Sequence, residues 1–145
     1  MKTKDILVVE DEPDIAEFIV YLLSREGYAV QSAANGKEAL GILANKPVDL
    51  VLTDVMMPVM DGIDLVLAMQ RREGLATVPV LVVSAGIVEP LRKAFPTAGA
   101  FLQKPFRVEL LLAAVRGLLV VDERGSQERY SRSRPPSRRR SRSRS

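Results

Sequence analysis

The feature that most constrains this chain is an alternation. Short runs rich in Val and Leu, "DILVVE" (5–10), "DLVLTD" (49–54) and "VPVLVVSA" (78–85), recur between longer stretches of helical period. Runs this short and this apolar fit strands buried on both faces. "YAVQSAA" (28–34) and "GAFLQK" (99–104) carry more polar residues and suit the edges of the same sheet. In "PDIAEFIVYLLSREG", Ile15, Phe18, Ile19, Leu22 and Leu23 repeat at the spacing of one helix face, with Pro13 in the first turn and Gly27 at the end. "GKEALGILANK" places Leu40 and Leu43 together, and "GIDLVLAMQRR" follows Asp61-Gly62. "RVELLLAAVRGLLV" aligns Val108, Leu111, Leu112, Val115 and Leu119, and a shorter helix covers "EPLRKAF". The result is β-α repeated five times, which implies a parallel sheet with helices on both faces. Right-handed crossovers restrict its topology, and ligands of such sheets bind beyond the carboxyl ends of the strands where strand order reverses.

Composition then narrows the chemistry. With 145 residues the chain has room for one domain with a hydrophobic core. It has no cysteine, so disulfides and thiolate metal sites are excluded. It has no histidine either, which removes the usual general base and any phosphohistidine of its own. The start, "MKTKDILVVEDEPD", lacks the apolar core and cleavage site of a signal peptide, and no run reaches membrane-spanning length. A soluble, cytoplasmic protein with no membrane partner is expected. The net charge of +3 hides two parts: residues 122–145 hold nine Arg against one Asp and two Glu, so the first 121 residues are mildly acidic. Residues 1–121 are therefore expected to form the domain. Residues 122–145, "DERGSQERYSRSRPPSRRRSRSRS", have almost nothing to bury and are expected to be a disordered basic tail.

The strand ends carry the chemistry. The first run ends in Glu10-Asp11, the third in Asp54, the fourth in Ser84-Ala85 and the fifth in Lys104-Pro105. In a sheet of order 2-1-3-4-5, three carboxylates, a hydroxyl and an ammonium converge on one edge. Clustered acids repel and raise one another's pKa unless a cation lies among them. Oxygen ligands favour a hard divalent ion, and a few carboxylates completed by water suit Mg²⁺. A neutralised aspartate can attack a phosphoryl group, with the ion and a lysine offsetting the charge on the transferring oxygens. Any one of these residues alone is better read as a helix cap or a solvated side chain; five at successive strand ends are not.

Four pieces, "ILVVEDE", "DLVLTDVMMPVMDG", "VVSA" and "FLQKPF", together closely resemble the receiver domains of bacterial two-component response regulators. The resemblance covers roughly residues 4 to 120. It implies the flavodoxin-like, doubly wound α/β fold, a five-stranded parallel sheet of order 2-1-3-4-5 with five helices, as in chemotaxis receivers. It implies that Asp54 is the phosphoacceptor and that Asp11 binds Mg²⁺ directly while Glu10 holds it largely through water. The Met56 carbonyl completes the protein ligands. Ser84 binds a phosphoryl oxygen, Lys104 pairs with the phosphate, and Lys104-Pro105 is cis. Phe101 matches the switch aromatic that turns inward with Ser84, a role weighed equally against simple core packing. Gly62 follows the tight turn after Pro58, and Met57 and Met60 are assigned to loop packing. The phosphoryl donor is expected to be a sensor histidine kinase or a histidine phosphotransfer protein, and the domain catalyses only its own phosphorylation and dephosphorylation.

The chain also departs from the family. The segment from Ser84 to Lys104 is about two residues short, lacks an acidic helix start and contains Pro90 and Pro96, so its helix is expected to be short or displaced. A monomer or weak dimer is expected, because the usual dimer face includes that helix. No output domain is expected after Val121, so the leading reading is a single-domain response regulator that switches contacts with a downstream protein target. The alternative is a receiver-sensor whose arginines bind nucleic acid or another acidic partner in a salt-dependent way.

Overall fold

The computed structural model describes residues 2–86, 88–95 and 98–133, with side chains described as far as Val120. Five strands alternate with five helices: β1 (Asp5–Val9), α1 (Pro13–Arg25), β2 (Ala29–Ala33), α2 (Gly36–Asn45), β3 (Leu50–Asp54), α3 (Gly62–Gln70), β4 (Val80–Ser84), α4 (Val88–Ala94), β5 (Gly99–Gln103) and α5 (Val108–Ser133). The strands form one parallel sheet, as the alternation predicts, in the order β2-β1-β3-β4-β5 that the receiver resemblance implies.

Strand alternation divides the core in two. Ile6, Val8, Leu50, Leu52, Leu81 and Val83 face Ile19 and Leu23 of α1 and Leu111, Val115 and Leu119 of α5. Leu7, Val9, Val51, Val80 and Val82 face Ala39, Leu40 and Leu43 of α2 and Leu65, Val66 and Met69 of α3. Burying each Leu or Ile contributes roughly 2 kcal/mol. β3 and β4 are buried throughout, while β2 and β5 keep exposed positions, which is the reason for their polar content. Gly27, at φ 95°, closes α1 by donating its N–H to the Ser24 carbonyl at 3.0 Å.

The structure corrects one expectation. Phe18 is 50% exposed, because the buried stripe of α1 runs through Ala16, Ile19 and Leu23 and leaves Phe18 on its flank. The last helix, α5, runs past Val121 to Ser133. Glu, Gln and Arg are good helix formers, so a stretch with little to bury still extends an existing helix at small cost. The expectation of disorder for residues 134–145 lies outside the described residues. As expected, α4 is short, seven residues with Pro90 in its first turn. Pro96 lies outside the described residues. Among the described residues no helix is long and apolar enough to cross a membrane.

Candidate functional site

Register builds the site. Val9 pairs with Thr53, which sets Glu10 level with Asp54 at the carboxyl ends of β1 and β3. Asp54 pairs with Val83, so Ser84 projects one residue beyond it, and Ser84 pairs with Gln103 ahead of Lys104. The Lys104 N–H donates to the Ser84 carbonyl at 2.7 Å, which brings the lysine back over the edge. Its peptide bond to Pro105 is cis, as the motif implies.

The side chains then converge. Glu10, Asp54 and Ser84 are buried, and one carboxylate oxygen from each of Glu10, Asp11 and Asp54 lies within 4.8 Å of the others. Lys104 Nζ reaches Asp54 Oδ2 at 3.3 Å and Glu10 Oε1 at 3.5 Å. The Val55 N–H donates to Asp54 Oδ1 at 2.8 Å, and the Glu12 N–H donates to Glu10 Oε2 at 3.1 Å. Asp54 is thus held by both oxygens at the end of a buried strand. Burial raises the Glu10 pKa above its usual 4.5, and the Asp54 charge adds to this while the Glu12 N–H and Lys104 oppose it. For Lys104, burial acts downward, but Asp54 and Glu10 outweigh it and its pKa is raised above 10.5. One ammonium faces three carboxylates, so the cluster carries excess negative charge. Hard oxygen donors with that excess fit a hard divalent cation.

The remaining sequence-derived residues are placed around this centre. The Ser84 hydroxyl accepts the Gly86 N–H at 3.0 Å. Met56, on the loop after Asp54, is 74% exposed, whereas Met57 and Met60 pack against the core. Phe101 of β5 is half-buried against the α2–α3 side of the core, with the Arg92 guanidinium 5.5 Å from its ring centre. Gly62 is required by closeness: a Cβ there would collide with the Asp54 carbonyl. The start of α2 was missed at the sequence level. The Glu38 N–H donates to Asn35 Oδ1 at 2.9 Å, and Glu38 Oε1 accepts the Ala34 N–H at 3.2 Å. Asn35 followed by Glu38 in "NGKEAL" was the available signal.

A family model described as the response regulator receiver domain matches residues 6–116. The chain belongs to this family. Its receiver is 42% identical over 116 residues to the response regulator MprA of Mycobacterium sp. (strain KMS), covering 79% of this chain and 50% of that protein. The sensor histidine kinase TmoS of Ectopseudomonas mendocina is 39% identical over 116 residues, 79% of this chain and 12% of the kinase. Among solved structures, the receiver resembles the chemotaxis response regulator CheY4 of Vibrio cholerae with a TM-score of 0.75 at 28% identity, covering 81% of this chain and 99% of that one. The receiver therefore recurs both in regulators and within kinases. The chain spans about half the length of the first curated relatives it matches.

Proposed function

We propose that this receiver accepts a phosphoryl group from phosphohistidine on a sensor kinase or histidine phosphotransfer protein and carries it on Asp54. A carboxylate oxygen of Asp54 forms the new P–O bond as the P–N bond of the donor breaks, and the electron pair stays on the imidazole. Glu10, Asp11, Asp54 and the Met56 carbonyl would hold Mg²⁺, which when bound neutralises the carboxylates and the transferring oxygens. Lys104 already donates to Asp54 Oδ2, so it is placed to follow the charge onto the phosphoryl oxygens. The Ser84 hydroxyl donates to another of those oxygens, and the movement it makes with Phe101 alters contacts with a downstream protein target. The only reactions catalysed are the domain's own phosphorylation and dephosphorylation, in the cytoplasm.

The observation that carries this reading is the buried Asp54 carboxylate, held by the Val55 N–H on one oxygen and by Lys104 on the other. Incubation with a small acyl phosphate and Mg²⁺, followed by intact mass, tests it. The expected product is about 80 Da heavier, one phosphoryl group, and is absent from Asp54→Ala. An adduct that persists in that variant, or none in the native protein, defeats the reading.

A further inference from the structure

We propose that Gly36, outside the carboxylate cluster, is a positioning residue for the loop that follows Asp54, because its missing side chain lets Met60 seat on the start of α2. The proposal rests on the reading of Asp54 as phosphoacceptor. The loop needs such a support. Val59 lies at φ 70°, and the Met60 N–H donates back to the Pro58 carbonyl at 2.7 Å. That is a γ-turn with a β-branched residue in the left-handed region, a conformation that persists only where the surroundings impose it. On one side the restraint is Gly62, whose N–H donates to the Val55 carbonyl at 2.9 Å. On the other it is Gly36, whose N–H donates to the Met60 carbonyl at 2.9 Å.

The second restraint requires glycine for space, not for backbone freedom, since Gly36 lies in the first turn of α2 and is absent from the positive-φ glycines. A Cβ at Gly36 would lie 2.6 Å from Met60 Cγ, 2.9 Å from its sulfur and 3.0 Å from its carbonyl oxygen. Something must move. The start of α2 is fixed by the Glu38 N–H donating to Asn35 Oδ1 and the Ala34 N–H donating to Glu38 Oε1, and its Ala39, Leu40 and Leu43 are packed in the core. Met60 is on a loop and yields first, and its displacement passes through the strained turn to Met56 and Asp54. Helix propensity argues for the opposite sign, since glycine to alanine within a helix ordinarily stabilises.

That conflict of signs makes Gly36→Ala a decisive test. Three variants, Gly36→Ala, Met60→Ala and the double variant, are compared with the native protein. Melting temperature without divalent ions, affinity for Mg²⁺ alone and the rate of phosphoryl incorporation from a small acyl phosphate are measured. Gly36→Ala is expected to melt several degrees lower, to bind Mg²⁺ about tenfold more weakly and to phosphorylate more slowly. The double variant, with space for the new methyl, is expected to regain most of both stability and Mg²⁺ affinity. Unchanged or raised stability with native Mg²⁺ affinity in Gly36→Ala overturns the proposal. So does lowered stability with native Mg²⁺ affinity, which would make Gly36 merely structural. If Gly36→Ala does not fold, a double variant that folds and binds Mg²⁺ supports the proposal, and one that also fails overturns it. Absence of any adduct on the native protein overturns the phosphoacceptor reading instead, and the stability and Mg²⁺ comparisons still judge the seat.

Discussion

The two halves of the reactive edge are built differently. On the β1–β3 side, Glu10 and Asp54 are buried, bonded to backbone N–H groups at 3.1 and 2.8 Å, and followed by a loop restrained at both ends by close glycine contacts. On the β4–β5 side, Ser84 is equally buried, but α4, the helix of the crossover, has seven residues, of which Val88 is the buried one. Its side chains link through the Arg92–Glu89 pair at 3.1 Å and the Arg92 contact with Phe101. On the proposed reading, groups needed in place before chemistry sit on the densely bonded side, and groups that respond to it sit on the sparsely bonded one. Lys104 spans the two halves, since it leaves β5 and reaches both Asp54 and Glu10.

Breaking that bridge has the largest effect. Lys104→Ala removes the ammonium aimed at the developing charge, and phosphoryl incorporation is expected to slow roughly 100-fold while Asp54 remains the acceptor. Rates from intact-mass time courses check it. A rate within twofold of native would mean the β5 side contributes nothing to transfer, and the bridge would lose its functional meaning.

The rigid half is expected to be strained by its own charge. A carboxyl whose pKa is higher in the folded chain stabilises the fold while protonated. For Glu10 that contribution is complete below pH 4.5 and is lost as pH rises through the raised value. Above that window the charged Glu10 is a cost, so Glu10→Gln should melt a few degrees higher than native at neutral pH without divalent ions. The two curves should converge as pH falls toward 4.5. Saturating Mg²⁺ should favour the native protein, because ligand binding stabilises the folded state in proportion to its affinity. A metal-free Glu10→Gln that melts below native would show that Lys104 pairing outweighs burial.

The reactive edge was easier to read from the sequence than the packing around it. Glu10, Asp11, Asp54, Ser84 and Lys104 were legible because parallel strands fix where their last residues go, and strand period fixes which are buried. The parallel sheet followed from the alternation, and its strand order from the resemblance to receiver domains. Phe18 was misplaced because five apolar residues in α1 span more than one stripe, and only packing selects Ala16, Ile19 and Leu23. The Gly36–Met60 contact joins the first turn of α2 to the loop before α3, and no local pattern reports such a contact.

The smallest effect is the one that best separates the halves. Arg92 is half-exposed, and its ion pair with Glu89 is solvated, so Arg92→Ala should change stability by no more than about 0.5 kcal/mol. Its guanidinium nevertheless covers the ring of Phe101, and little else in the short α4 is buried against β5. Ring resonances of Phe101 should therefore broaden or shift in Arg92→Ala, and amide exchange along β5 should accelerate. Exchange in β1 and β3 should stay at native rates, since those strands lie across β4 from the change. Equal acceleration in both halves would mean that the edge opens as one unit and that the contrast between held and responsive groups is false. A native Phe101 spectrum would mean that β5 packing alone fixes the ring and that Arg92 rests on it without consequence.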